Sequence, residues 1–359
     1  MDHGCSSASS PAVPFLDADT IRSLLDVSSA AALLTESLAS GAVDPEDDSP
    51  RLFSPAGPGR EFLIMPSVGR TRSGVKLVAL APDNPAAGHP AVQGVYVLFA
   101  NDHLTPLAML DASELTLLRT PATTAMAAEH LLAAKREEGA SGADPPASET
   151  GSGARGLRVV VYGTGPQAER HIHCIEAVLR PDEIAVVGRR AAAVDVLVAR
   201  TVAAGAPVRR AAADPTVDLA RAHLVICVTA AATPLFADEA VSSDAVVCAV
   251  GAHGPQRHEL PVELVRRSDI VVEARVAALR ESGNVLQARP VDAWGDGQPL
   301  TNLAELVSGR FVATPGRPAV FTGVGMAWQD LVIASSLYDR HAGGDRRQPA
   351  SARALARPD

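Results

Sequence analysis

The stretch Leu157-Arg158-Val159-Val160-Val161-Tyr162-Gly163-Thr164-Gly165-Pro166-Gln167-Ala168 decides the fold. A β-branched run enters a G-x-G-x-x-A turn, and Gln167 to Leu179 continues with helical character. Gly163 allows the tight exit from the strand. Gly165 lets backbone approach a pyrophosphate, and Ala168 lets the next helix pack close to the sheet. The N-terminal N–H groups of that helix then face the phosphates. A further strand-like run at Ile184 to Val187 completes a strand–turn–helix–strand context. In that context the six residues Gly163, Thr164, Gly165, Pro166, Gln167 and Ala168 mark a nucleotide-binding Rossmann unit.

The end of the second strand bears on which dinucleotide. An NAD-selective site places Asp or Glu there to hold the ribose 2′-hydroxyl. This chain reads Val187-Gly188-Arg189-Arg190, two guanidinium groups and no acid. The planar fork of Arg suits a phosphate. Arg189 and Arg190 therefore favour NADP(H), with NAD(H) possible.

Outward from the fingerprint, strands and helices alternate: Leu224 to Thr229, Ala245 to Val250 and Ile270 to Glu273 are strand-like. That alternation predicts an α/β fold with a doubly wound parallel sheet. Before it lie a helix over residues 20–40, a loop over 41–60, and strands at Glu61 to Met65, Gly74 to Ala81, Ala91 to Ala100 and Thr105 to Leu110. A helix over 113–136 is interrupted at Pro121. The tract 137–156, rich in Gly, Ser, Pro and Glu, cannot bury enough apolar surface to order itself and reads as a flexible linker. Residues 1–14 and 341–359 read as disordered. The final ordered part starts with a strand at Ala319 to Thr322 and ends in an Ala- and Leu-rich helix.

At 359 residues the chain has room for two domains. A net charge of −9 argues against nucleic acid or an anionic membrane as partner. No apolar run reaches the length of a membrane span, and the first residues lack a basic, then apolar, leader pattern. Cys5, Cys174, Cys227 and Cys248 are scattered, which fits reduced thiols in a cytoplasmic protein and no metal site.

Three basic residues stand in telling settings. Lys76 lies within Val75-Lys76-Leu77-Val78-Ala79-Leu80, Arg119 within Leu117-Leu118-Arg119-Thr120-Pro121, and Arg51 just before Leu52-Phe53. A cation inside an apolar segment is seldom buried without an anion, and Arg holds a carboxylate bidentately. From pattern alone, a carboxylate pocket and ordinary snorkelling side chains fit these positions equally.

The blocks Leu63-Ile64-Met65-Pro66, Gly74-Val75-Lys76-Leu77-Val78 and Leu115-Thr116-Leu117-Leu118-Arg119-Thr120-Pro121-Ala122 resemble the ornithine cyclodeaminase/mu-crystallin family. The likeness continues through Gly163 to Ala168, Val250 to Leu260 and Val320 to Ala327. It implies a Rossmann domain at 157–314. It also implies a discontinuous α+β substrate-binding and dimerisation domain formed by 15–136 with 315–340, in a homodimer. By that resemblance Lys76 and Arg119 would hold a substrate carboxylate, with Arg51 and Gln93 nearby. Thr229, Ala230 and Gly251 would line the cofactor.

One departure matters. The cyclodeaminase loop resembling G-G-D-x-P-G-K-T-E-L reads here Gly251-Ala252-His253-Gly254-Pro255-Gln256-Arg257-His258-Glu259-Leu260. His253 occupies the slot of the Asp implicated in ring closure. The absent NAD-type acid also points away from ornithine cyclisation. His253 remains a candidate proton donor, because its ordinary pKa lies near neutrality. The expected chemistry is hydride transfer to the C=N carbon of a small cyclic imino acid, with Lys76 and His253 as candidate catalytic residues. The alternatives are an ornithine cyclodeaminase, an alanine-dehydrogenase or opine-like enzyme, and a non-enzymatic NADPH-binding protein.

Overall fold

The computed structural model describes residues 12–140, 156–295 and 299–345. Residues 1–11 of the expected disordered start, 141–155 of the expected linker and 346–359 of the expected tail lie outside the described residues.

The first sheet comprises β1 (Phe15–Leu16), β2 (Leu52–Pro55), β3 (Glu61–Val68), β4 (Arg72–Leu80), β5 (Val92–Ala100) and β6 (Pro106–Asp111) in the order β1-β6-β5-β4-β3-β2. All neighbours are antiparallel except β1 with β6. Side chains alternate between faces. Met65, Lys76, Tyr96 and Leu110 stand opposite one another across β3 to β6 and are all buried. This inner face packs under helix α3 (Ala112–Ala140) and, at its β1–β6 end, α1 (Ala18–Leu24), while α2 (Val27–Ala39) packs on α3. β2 corrects the expectation of a loop through 41–60.

Helix α3 also differs from expectation. It runs unbroken through Pro121 and continues to Ala140, four residues into the expected linker. Proline lacks the N–H that would reach back to residue 117. Dense packing compensates, since residues 121–128 are all buried, between both halves of the molecule. Tertiary burial here outweighs a local cost of about 3 kcal/mol.

The second sheet holds β7 (Arg158–Tyr162), β8 (Glu183–Val187), β9 (Val208–Arg210), β10 (Leu224–Cys227), β11 (Val246–Ala249), β12 (Asp269–Val272), β13 (Thr301–Asn302) and β14 (Ala319–Thr322). They are parallel throughout, in the order β13-β12-β14-β11-β10-β7-β8-β9. Central strands are apolar on both faces, as a sheet covered by helices on each side requires. The covering helices are α4 (Pro166–Leu179), α5 (Ala191–Ala203), α6 (Thr216–Leu219), α7 (Val262–Arg267), α8 (Arg275–Glu281), α9 (Gly283–Leu286) and α10 (Leu303–Val307). The fold is the expected α/β class.

β14 revises the expected domain boundary at 315. It pairs with β11 on one side and β12 on the other, deep inside the parallel sheet. Only the final helix, α11 (Ala327–Asp345), returns to the first sheet, packing on α2, α3, β3 and β4. Its helical course to Asp345 also shortens the expected disordered tail. One apolar core runs through both halves, joining Leu16, Tyr96, Leu131, Val161 and Phe321, while Val160, Val225, Val247 and Val320 build a second on the other face of the parallel sheet.

Candidate active site

The chain leaves β7 in one direction for β8 and β9, then returns to β10 and β11 on the other side. Such a switch point opens a crevice at the carboxyl ends of the strands. Here it is a cleft of about 300 Å³. Its walls are the residues just past strand ends: Gly165 to Gln167 after β7, Val228 to Ala230 after β10, Val250, Gly251 and His253 after β11, Glu273 after β12, and Gly323 and Gly325 after β14. Helix α3 closes the opposite wall with Thr116, Arg119, Thr120, Thr123 and Thr124, which recur at the three- and four-residue spacing of one helix face.

The fingerprint has the geometry a dinucleotide needs. Gly163 has φ +139°, and a Cβ there would lie 2.9 Å from the Val228 carbonyl oxygen. At Gly165 the space is open, directly before α4, whose N-terminus carries no side-chain cap. Ala168 is buried against the sheet, as close helix packing demands. The Oε1 atom of Gln167 and the hydroxyl of Thr120 are buried on the cleft walls with no partner. Arg189 and Arg190 follow β8, Arg190 at the N-cap of α5, and both are exposed. Thr164 packs against Gly188 at the same strand end.

At the floor, three elements converge on one carboxylate. Asp330 of α11 is fully buried, with Oδ2 2.7 Å from Lys76 Nζ and Oδ1 3.5 Å from Arg119 Nε. Arg119 Nη1 donates to Gln329 Oε1 at 3.1 Å. Lys76 stands behind Thr116, its Nζ 3.4 Å from that hydroxyl, and so is one layer deeper than the cleft wall. Burial pulls the Lys76 ammonium down to about 8, although Asp330 opposes the shift. The Tyr96 hydroxyl, buried without a partner, is pushed well above its usual range by burial and by the charges of Asp330 and Asp48.

Arg51 differs from its expected role. It is not on the cleft wall. Its Nε pairs with Glu281 at 2.7 Å, and Nη2 donates to the carbonyls of Val324 (2.8 Å) and Gly325. Its guanidinium braces α8 against the loop after β14. Gln93 is corrected outright. Strand alternation turns it to the face opposite Tyr96, where it is exposed and its amide reaches only the Pro90 carbonyl at 3.5 Å.

His253 opens to water in the cleft, while protein encloses the cleft around it. That enclosure, and then the positive charges of Arg51, Arg119, Lys76 and Arg257, hold its imidazole well below the usual histidine range. Water on its open face weakens the first cause and leaves the cations as the firmer one. Both causes favour the neutral imidazole over the imidazolium.

Sequence reasoning gave no role to three acids. Asp330 is one. Glu273 lines the cleft and accepts from the Val324 and Gly325 N–H groups and from Gln329 Nε2, each at 2.7 Å. Glu259 lies beneath the loops after β10 and β11. The available signal was a lone acid within or ending an apolar run, as in Ile270-Val271-Val272-Glu273.

A parallel sheet whose open glycine turn meets a cleft at its switch point, walled on one side by Arg119, defines a Rossmann-type protein. The chain belongs to the ornithine cyclodeaminase/mu-crystallin family, whose model matches residues 14–139 and 152–345. It is 28% identical over 334 residues to Δ1-pyrroline-2-carboxylate reductase 1 of Burkholderia multivorans, covering 93% of this chain and 98% of that protein. An archaeal alanine dehydrogenase dimer with bound NAD superposes with TM-score 0.77 at 22% identity, covering 93% of this chain and 97% of that one. The Δ1-pyrroline-2-carboxylate reductase of Thermococcus litoralis, in complex with NADH and L-proline, gives 0.76 at 20%, covering 93% and 98%. These two likenesses show the fold alone.

The Lys76 environment yields a pH prediction. Lys76 is charged below about 8 and neutral above it. Without that charge Asp330 pairs with Arg119 alone and draws it from an incoming carboxylate. For a carboxylate substrate, kcat/KM should fall as pH rises through this range, and Lys76→Arg should move the fall beyond pH 10. An alkaline limb that Lys76→Arg leaves in place would assign it to another group.

Proposed function

We propose that this chain is an NAD(P)H-dependent oxidoreductase that reduces a small cyclic imino acid, of the Δ1-pyrroline-2-carboxylate or Δ1-piperideine-2-carboxylate type, to the amino acid. The observation that carries this is the shared cleft: Arg119, backed by the Lys76–Asp330 pair, faces the same space as Gly165 and Thr229. The identity to a Δ1-pyrroline-2-carboxylate reductase along nearly its whole length supports the same reading.

The turn from Gly163 to Ala168 would hold the pyrophosphate, and Thr229, Ala230 and Gly251 the nicotinamide half. When bound, the reduced nicotinamide supplies a hydride to the C=N carbon. The chain's own part is to orient and to exclude water. Arg119 anchors the substrate carboxylate. Lys76 keeps the Asp330 charge balanced so that the guanidinium stays available. The threonine face of α3 and the apolar walls Val228, Val250 and Phe321 confine a small ring. An imine that enters protonated brings its own proton. Neutral His253 then serves as a hydrogen-bonding neighbour of the ring nitrogen.

Cyclodeamination is disfavoured at one place. The second ammonium of a diamino acid, placed at His253, would meet the field of Arg51, Arg119, Lys76 and Arg257. For the cofactor, Arg189 and Arg190 have no ion-pair or hydrogen-bonding side-chain partner among the described residues, which leaves both free for a 2′-phosphate and favours NADP(H). The buried thiols Cys174, Cys227 and Cys248 suit the reducing cytoplasm. Among the described residues no helix is long and apolar enough to cross a membrane. The outer face of the first sheet carries the row Leu52, Ile64, Leu77 and Val95, with Leu52 and Leu77 exposed. A second copy of this chain would cover it, in keeping with the dimeric alanine dehydrogenase of similar fold.

Absorbance of the reduced nicotinamide should fall when Δ1-pyrroline-2-carboxylate or Δ1-piperideine-2-carboxylate is added with NADPH. Arg119→Ala should raise KM for the imino acid at least tenfold, in line with loss of a charge-assisted bond, and leave cofactor KM nearly unchanged. Ammonia released from L-ornithine without net NADPH loss would instead establish the cyclodeaminase. Arg189→Ala with Arg190→Ala should weaken NADPH far more than NADH in titrations of nicotinamide fluorescence. Equal losses would defeat the 2′-phosphate assignment. Leu77→Asp should shift the chain from dimer to monomer in light scattering, and an unchanged mass would move the interface elsewhere.

A further inference from the structure

Glu259 is wholly buried, yet it is held by neutral donors at both ends. Its Oε1 accepts from the N–H and the hydroxyl of Thr229, each at 2.7 Å. Its Oε2 accepts from the N–H groups of Gly251 (2.8 Å) and Ala252 (3.2 Å). One carboxylate thus grips the loop after β10 and the loop after β11, the two that line the cleft opposite α3. The loops touch there, because a Cβ on Gly251 would lie 2.2 Å from the Thr229 nitrogen. Glu259 is itself fixed from behind. Asn284 Oδ1 accepts from the N–H groups of Glu259 and Leu260, and Asn284 Nδ2 donates to Thr322 Oγ1 at the end of β14. Three strand ends are therefore keyed to one acid and one amide, neither of which reaches the cleft.

A buried carboxylate is a costly way to hold two loops unless their spacing matters. Desolvation lifts the Glu259 carboxyl, and the four hydrogen bonds offset only part of that rise. Resting on the reading of this cleft as a dinucleotide site, we propose that Glu259 is a positioning residue. It sets the separation of the Thr229 and Gly251–His253 loops and so shapes the seat of the nicotinamide half. The carboxylate pocket of Lys76, Arg119 and Asp330 stands on β4, α3 and α11, outside this clamp.

The two ends of Glu259 make the test selective. In Glu259→Gln one end must present an NH₂ group to N–H donors. The Thr229 hydroxyl can turn and accept, whereas Gly251 and Ala252 offer only N–H groups. The amide therefore faces Thr229, whose N–H loses its acceptor. The experiment uses the full chain, with NADPH affinity read by nicotinamide fluorescence and imine reduction read separately. We expect a folded Glu259→Gln variant whose NADPH Kd rises about tenfold, the effect of one lost bond to a charged group, while KM for the imino acid stays within twofold. Glu259→Asp, one methylene shorter but still anionic, should recover part of the affinity. An NADPH Kd within twofold of wild type would overturn the proposal, as would parallel losses in both parameters, the mark of general loosening. If Glu259→Gln does not fold, Asn284→Ala carries the test by freeing the Glu259 main chain from behind. The same cofactor-selective weakening supports the role, and an unchanged Kd overturns it. Wild-type protein that binds neither NADPH nor NADH would overturn the dinucleotide reading itself, a result distinct from these.

Discussion

The burial of Asp330 between Lys76 and Arg119 is the constraint on which the rest of the site depends. These three charges come from α11, β4 and α3, and leave each other little freedom. Removing one partner of such a cluster leaves a buried charge uncompensated, a cost of about 3–5 kcal/mol. The start of α11 must therefore stand within reach of the first sheet, although the chain arrives there from the second. The position of β14 solves this. By entering between β11 and β12 it delivers Gly323 to Gly325 to the switch point and starts α11 over β4.

A short strap from the first half locks that geometry. Glu46 accepts from the N–H groups of Arg275 and Val276 at the start of α8. Asp48 does the same for Ala327 and Trp328 at the start of α11, and burial lifts its carboxyl to about 6. Arg51 grips Glu281 and the carbonyls between them. On the far side Glu273 takes the N–H groups of Val324 and Gly325. Acids at helix starts and strand ends thus fix the floor of the cleft, on which Arg119 stands.

The parallel sheet was legible because its signals are local: glycines at a turn, and apolar strands recurring between helical segments. The turn from Gly163 to Ala168 lies between β7 and α4, as its local pattern implied, while Arg119 on the cleft wall had only the family resemblance to mark it. What was hidden depends on long-range contact. Pro121 reads as a break, and only burial from two sides lets α3 pass through it. Ala319 to Thr322 reads as a strand, but its insertion between β11 and β12 is a fact of topology. Gln93 went astray because register decides which face a strand residue takes. His253 carries an ordinary imidazole by type, and its downward shift comes from enclosure in the cleft and from cations of which Arg51, Arg119 and Lys76 are distant in sequence. Arg51 looked available, and its pairing with Glu281 spans 230 positions of chain.

The most direct measurement is a crystal structure of the chain with NADP⁺ and L-proline. The pyrophosphate should lie at Gly165 before α4. The proline carboxylate should stand within hydrogen-bonding distance of Arg119, with the ring packed between the threonine face of α3 and the nicotinamide. A carboxylate bound away from Arg119, or a dinucleotide that leaves the Gly163 to Ala168 turn uncontacted, would contradict this arrangement.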